Sequence, residues 1–404
     1  MNIHDEAGRI ILPVVQFGIY ALAPILLLGC LAVTPVDVIT TRIKQTLSVP
    51  LLTSLLYFPY NYCDEENGSF SVFCQIIPFV MFLRFLDIFW IAPLLYKQES
   101  YITASELNIE LWSSIRKDLK PHREKTKVRP VKEEKKKFYH LLPPIILNAV
   151  VYDALAAWAK TFSAEDILFM QKNNLLQSFV FFLVVVNALS CLLNFAGKVM
   201  QLVYCIAVEH GTYCPDNWRL MMDYPLLGLS LEEVWSSRWH RILRPAWVAS
   251  AFKPLYYIVR TWTNENPKYK QLAIGLASMA VFVVSGMTHE YVVLCNTGWE
   301  LYKKTFIGDQ MIFFCTHGIL VVLEKAVKYI YTKVLRLPAM NSGVVRMVLH
   351  CYVIGVCYYF FHYFINGIAH WGLWRLDKIT PVEDIVRHYL LDTPYLRSFC
   401  GSLL

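Results

Sequence analysis

The feature that most restricts this chain is a series of apolar stretches, repeated from Ile10 to Ile368, each near or above the length that crosses a bilayer. A spanning helix needs about 20 mainly apolar residues. Clear candidates run over Ile10–Val33, Ser71–Leu95, Asn174–Ala207, Gln271–Val293, Met311–Tyr331 and Met347–Ile368. Two weaker ones follow from the same pattern: Leu141–Trp158, interrupted by Asp153, and Ser48–Tyr60, which is short and holds Pro50 and Pro59. Only 17% of the residues are charged, against about 25% in soluble domains. The expected fold is therefore all-α and polytopic, with about 8 transmembrane helices in a single membrane-embedded domain over 1–404. Ala246–Trp262, aromatic and basic at its end, reads as interfacial or re-entrant.

Charge sets an expected orientation. Eleven Lys/Arg stand against four Asp/Glu between Arg116 and Lys137, a local +7 equal to the net charge of the whole chain. No aromatic interleaving accompanies them, so nucleic acid is not the expected partner. A cytosolic loop over 97–138 fits better, either near anionic lipid headgroups or simply solvated. Alternation over eight spans then makes Thr40–Thr46 and Lys325–Arg346 cytosolic, both basic, together with a second polar loop over 208–247. The sequon Asn67-Gly68-Ser69 falls on the lumenal side, where Asn67 is a glycosylation candidate. That points to the endoplasmic reticulum. Cys63 and Cys74 flank the sequon, either as a lumenal disulfide or as two packed thiols. The eleven cysteines contain no Cys-x-x-Cys and no zinc-like Cys/His spacing, so no metal site is expected.

Two segments carry candidate chemistry. The first is Ser230-Leu231-Glu232-Glu233-Val234-Trp235-Ser236-Ser237-Arg238-Trp239-His240. Ser230 and Glu233 stand at capping-box spacing, which predicts a helix from Leu231 to about Arg244, stopped by Pro245. On it Trp235 and Trp239, and Arg238 and Arg241, would share faces. The second is Ser285-Gly286-Met287-Thr288-His289-Glu290, inside an apolar stretch. Ionisable residues there are expensive and are functional candidates by default. Ser285 lies one turn before His289, within reach of it or of a substrate, and Gly286 admits a close neighbour. A packed histidine satisfied by a helix carbonyl is the bland alternative, since His317, His350, His362 and His370 also lie in or beside late stretches.

In order and separation the two segments resemble the wax synthase branch of the membrane-bound O-acyltransferases. Its first signature is typically Ser-Leu-x-x-Phe-Trp-Gly-Arg-Arg-Trp-His or -Asn, and its second Ser-Gly-x-x-His-Glu. Val234, Ser236 and Ser237 depart from it, the last removing one arginine. The resemblance covers roughly Met221 to Leu323. It implies transfer of an acyl group from acyl-CoA to the hydroxyl of a lipophilic alcohol, with no bound cofactor. His289 is the expected general base and His240 a catalytic hydrogen-bond donor. Arg238, Arg241, Arg244 and Trp239 are expected to meet CoA, and Ser285, Glu290 and Trp235 the substrate. The Trp-His form is similar to fungal acetyltransferases of terpenoid and meroterpenoid scaffolds, which implies acetyl-CoA and a polycyclic alcohol. A wax ester synthase using long-chain acyl-CoA and a fatty alcohol is the alternative. From another class, a transporter would use His289 and Glu290 as a proton relay. No Asp-rich diphosphate motif, dinucleotide fingerprint or Walker loop is present.

Overall fold

In the computed structural model, residues 4–65, 68–112, 115–117, 134–335 and 342–404 are described. The elements are β1 (Ile10–Leu12), α1 (Val14–Val33), α2 (Thr41–Asn61), β2 (Tyr62–Asp64), α3 (Ser69–Leu86), α4 (Ala92–Tyr96) and α5 (Ala104–Trp112). Next come β3 (Lys136–Lys137), α6 (Leu142–Ala159), α7 (Ala164–Asn173), α8 (Leu175–Ala207), β4 (Thr212–Tyr213), α9 (Leu231–Glu233), α10 (Arg244–Trp247) and α11 (Lys253–Trp262). The last are α12 (Lys270–Leu301), α13 (Asp309–Tyr329), α14 (Gly343–Trp371), α15 (Val382–Asp392) and α16 (Pro394–Arg397). Asn67 and most of the basic stretch, 118–133, lie outside the described residues.

Seven helical segments among the described residues are long and apolar enough to cross a bilayer. They match the six clear sequence candidates and Leu141–Trp158, so the chain is a polytopic membrane protein. The eighth candidate is less apolar than these, but it is a continuous helix of 21 residues, α2. At 1.5 Å per residue it is about 31 Å long, enough to span. Its two prolines remain inside the helix.

The chain divides into two compact units, 1–107 with 243–337 and 108–242 with 338–404. In the first, α1, α2 and α3 pack around Leu28, Leu31, Leu52, Leu55, Phe85 and Phe89. β1 runs parallel to β2, Ile10 opposite Tyr62. Lys44, fully buried, donates to the carbonyls of Thr34 and Ser100 (2.7 Å to the latter). One ammonium thus ties the loop after α1 to the segment after α4, so both stand at the same end of this unit, as the alternation of spans requires. All eleven cysteines are free thiols, Cys63 and Cys74 included. Burial pushes the Cys63 thiol up to about 12, which leaves it protonated and unreactive at neutral pH.

α12 is longer than its apolar core suggests. It runs on to Leu301 through Gly298, which has φ 72° and ψ 160° and lies against Ala7 of the amino-terminal segment. His289 is 19 residues from Lys270 and 9 residues before this kink.

In the second unit α6 packs on α8 through Tyr152, Ala156 and Ala188. Asp153, which interrupts the apolar run of α6, is fully buried and accepts the amides of Ile379 (3.0 Å) and Thr380. Two turns further on, Lys160 pairs with Glu383 of α15 at 2.6 Å. Backbone donors and one opposite charge satisfy two ionic groups that hydrocarbon would reject.

Candidate active site

The second unit carries the Ser230–His240 segment. It is anchored first at Trp218, whose backbone bridges to Arg116. The Arg116 guanidinium lies 4.7 Å from the Tyr204 ring and 5.1 Å from the Trp218 ring, and pairs with Glu209 at 2.7 Å. The next anchor is α8. Asn194 donates to the Met222 carbonyl at 2.9 Å and accepts the Met222 amide at 3.0 Å, while Met221 fills the space above Gly197. The loop is thereby fixed residue by residue to a long apolar helix.

The helix expected from Leu231 to Arg244 is shorter. α9 passes into a π-helical turn, Val234–Arg238, and ends at Trp239 in extended conformation (ψ 155°). The backbone leaves the helix because other partners take it. The Arg238 carbonyl accepts the Asp223 amide at 2.8 Å, and the Arg241 amide donates to the Met221 carbonyl at 3.3 Å. Arg238 and Arg241 therefore do not share a helix face. Trp235 and Trp239 do meet, with ring centroids 5.4 Å apart. Pro245 does not stop this helix but opens the next, in the first turn of α10, where a missing amide costs nothing.

The capping box is half realised. The Ser230 hydroxyl accepts the Glu233 amide at 3.0 Å, but the Glu233 carboxylate takes the Leu229 amide at 2.9 Å rather than that of Ser230. Glu233 also pairs with Arg238 at 2.7 Å. Burial opposes its ionisation, yet the Leu229 amide and Arg238 outweigh that and hold its carboxyl below the usual range. Arg238 further donates to the Asp223 carbonyl at 2.9 Å. Its charge is thus already partnered within the loop. Arg241 reaches the Ser237 carbonyl, the His240 ring sits 6.0 Å from that of Trp239, and His350 of α14 closes the loop at the Gly228 carbonyl (3.1 Å).

The first unit carries the second segment, on α12, and also Arg244, exposed at the start of α10. His289 Nδ1 lies 2.8 Å from the Ser285 carbonyl. A carbonyl oxygen only accepts, so Nδ1 bears the proton and Nε2 is the basic nitrogen. Ser285 thus orients the imidazole through its backbone, not its hydroxyl. The ring packs on Phe314 of α13, with centroids 4.4 Å apart, and Gly286 lets Met311 come close beneath it. Glu290, 8% exposed, accepts the Met311 amide at 3.2 Å.

Met311 is the third residue of α13, whose own cap is Gly308. A glycine brings no side chain to the orphan amides of a helix start, and Glu290 supplies the missing acceptor from the neighbouring helix. Glu290→Ala is therefore expected to cost about 1–2 kcal/mol, read as a lower Tm in detergent. Glu290→Gln, which keeps an oxygen acceptor, should lose less. Equal stability of Glu290→Ala and the wild type would remove this capping role.

Sequence reasoning missed Trp247 and Thr288. The Trp247 indole donates to the Thr288 hydroxyl at 3.2 Å, and Thr288 in turn donates to the Val284 carbonyl at 2.8 Å. This clamp holds α10 to α12 beside His289; only the position of Thr288 within the second segment hinted at it. Tyr291 turns to the opposite face of α12, where it donates to the Leu56 carbonyl at 2.6 Å and borders an apolar cavity of about 540 Å³ with Leu52, Phe82 and Trp90. That cavity lies away from the imidazole. Among the described residues, no three His, Cys, Asp or Glu side chains gather as metal ligands.

Both segments, from the Trp218 anchor to the α13 helix that faces His289, fall within one matched region. Residues 218–316 match the membrane bound O-acyl transferase family. That region holds every candidate residue named above except Asn67. The chain is also similar to the long-chain-alcohol O-fatty-acyltransferase of Simmondsia chinensis, 23% identical over 163 residues, 39% of this chain and 42% of that protein. A probable long-chain-alcohol O-fatty-acyltransferase 7 of Arabidopsis thaliana is 28% identical over 104 residues, 26% of this chain and 28% of that protein. The similarity thus spans less than half the length of either relative.

Proposed function

We propose that this chain is a membrane O-acyltransferase that moves an acyl group from acyl-CoA to the hydroxyl of a lipophilic alcohol. The observation that carries the reading is the imidazole of His289, inside a spanning helix of the family-matched region, with its Nδ1 proton held by the Ser285 carbonyl. In that tautomer Nε2 accepts the proton of the acceptor hydroxyl as its oxygen attacks the thioester carbonyl. The tetrahedral intermediate collapses to the ester, and the departing thiolate takes the proton back from the imidazolium. The products are ester and CoA thiol. No acyl-enzyme is needed, and the chain contains no Gly-x-Ser-x-Gly elbow that would build one.

The resemblance assigns His240 to stabilising the oxyanion or the leaving thiol, Arg238, Arg241, Arg244 and Trp239 to CoA, and Ser285, Glu290 and Trp235 to the acceptor. Two acceptor classes have support. The names of the plant relatives favour a long-chain alcohol. The Trp239-His240 pair, similar to the fungal terpenoid acetyltransferases, favours an acetyl donor and a polycyclic alcohol.

The test is transfer from radiolabelled acetyl-CoA and palmitoyl-CoA to fatty and terpenoid alcohols in membranes expressing this chain. Label in an ester, above membranes without the chain, supports the reaction. The preferred pair chooses the acceptor class. No ester from any pair, with folded protein present, overturns the proposal.

A further inference from the structure

One cation in the second unit has no assigned task. Lys198 lies inside α8, a 33-residue helix apolar enough to span. Three other cations of the same unit, Arg116, Lys160 and Arg238, each have a carboxylate at 2.6–2.7 Å. Lys198 has none among the described residues; its ammonium donates to the Gln201 side-chain oxygen at 3.1 Å. Gln201 is 2% exposed, and its amide nitrogen is buried with no hydrogen-bond partner. An ammonium and an unused amide donor, one turn apart, are thus left together in an apolar span. Both are donors, and what they lack is an acceptor with negative charge.

Their place on the helix says where that acceptor lies. Asn194, Gly197, Lys198 and Gln201 follow i, i+3, i+4, i+7 spacing and share one face of α8. Asn194 and Gly197 are the residues that grip Met222 and Met221. Lys198 therefore stands on the face that carries the motif loop, about 14 Å along the helix from Ala207. Within that loop Arg238, which the sequence singles out for CoA phosphate, is already neutralised by Glu233.

We infer that Lys198 and Gln201 form a phosphate-binding pair at the motif loop, and that the phosphate belongs to the CoA donor. The inference rests on the acyl-CoA reading above, and a phospholipid headgroup is the other source of the same chemistry. An ammonium that merely extended to the headgroups would leave the Gln201 amide unused.

The test is equilibrium binding of radiolabelled CoA to the purified full chain in phosphatidylcholine nanodiscs, with pantetheine as the phosphate-free probe. Lys198→Met is expected to weaken CoA binding about 10–100-fold and to leave pantetheine unchanged. Lys198→Arg should stay within a few-fold, and Gln201→Leu should show a smaller loss than Lys198→Met. Equal CoA affinity in wild type and Lys198→Met overturns the inference while the acyltransferase reading stands. No CoA binding by the wild type, with phosphatidic acid retained only when Lys198 is present, overturns the CoA assignment and identifies a lipid site instead. If Lys198→Met fails to fold, Lys198→Gln and Gln201→Leu carry the same comparison. Equal CoA affinity in those two also overturns the inference.

Discussion

Membranes carrying His289→Ala are expected to lose acyl transfer by about 10²–10⁴-fold at equal expression, the usual worth of a general base. The geometry gives a reason beyond the residue type. The Ser285 carbonyl fixes the tautomer and Phe314 backs the ring, so the basic nitrogen is aimed without having to be ordered at each turnover. His289→Gln keeps the hydrogen-bonding side chain without the base, and it should be as inactive as His289→Ala while packing better. Ser285→Ala retains the carbonyl, so any loss there reports on the hydroxyl touching substrate and not on the imidazole. Full activity in His289→Ala would remove the base from the mechanism.

The largest expected effect on stability is at Gly298. Its φ of 72° with ψ 160° lies in a region open to glycine almost alone, where another residue costs about 1–3 kcal/mol. A Cβ there would also lie 2.6 Å from the Ala7 carbonyl oxygen, a backbone atom that cannot swing aside. Gly298→Ala is therefore expected to destabilise by about 2–4 kcal/mol, read as a fall in Tm by size-exclusion after heating. Gly29→Ala, with nothing within 4 Å of its Cβ, is the control and should change little. Wild-type stability in Gly298→Ala would mean that the amino-terminal segment does not hold this kink.

Much of this was legible in the sequence, because length and apolarity are local properties. All seven strongly apolar helices were readable, and so was the serine cap at Ser230. What failed was anything decided by a distant partner. The helix after Glu233 ends early because Asp223 and Met221 take its backbone, and no local propensity encodes that. The contact of Glu290 with the first turn of α13, whose own cap is a bare glycine about twenty residues on, is likewise made between helices and has no local signal. Arg238 and Glu233, five apart, fit neither helical pairing rule, and only the wide π-turn between them brings the two together.

The buried Asp153 has a consequence in time. Its partners, the amides of Ile379 and Thr380, lie 226 and 227 residues further along the chain, and the match for Lys160 lies 223 residues on. At about 5–20 residues per second, roughly 10–45 seconds of synthesis separate the entry of α6 into the membrane from the arrival of the groups that neutralise it. During that interval a nascent span carries an acid worth up to about 3 kcal/mol against insertion and a lysine beside it. Maturation of this protein is therefore a waiting problem, and a segment made more than two hundred residues later closes it.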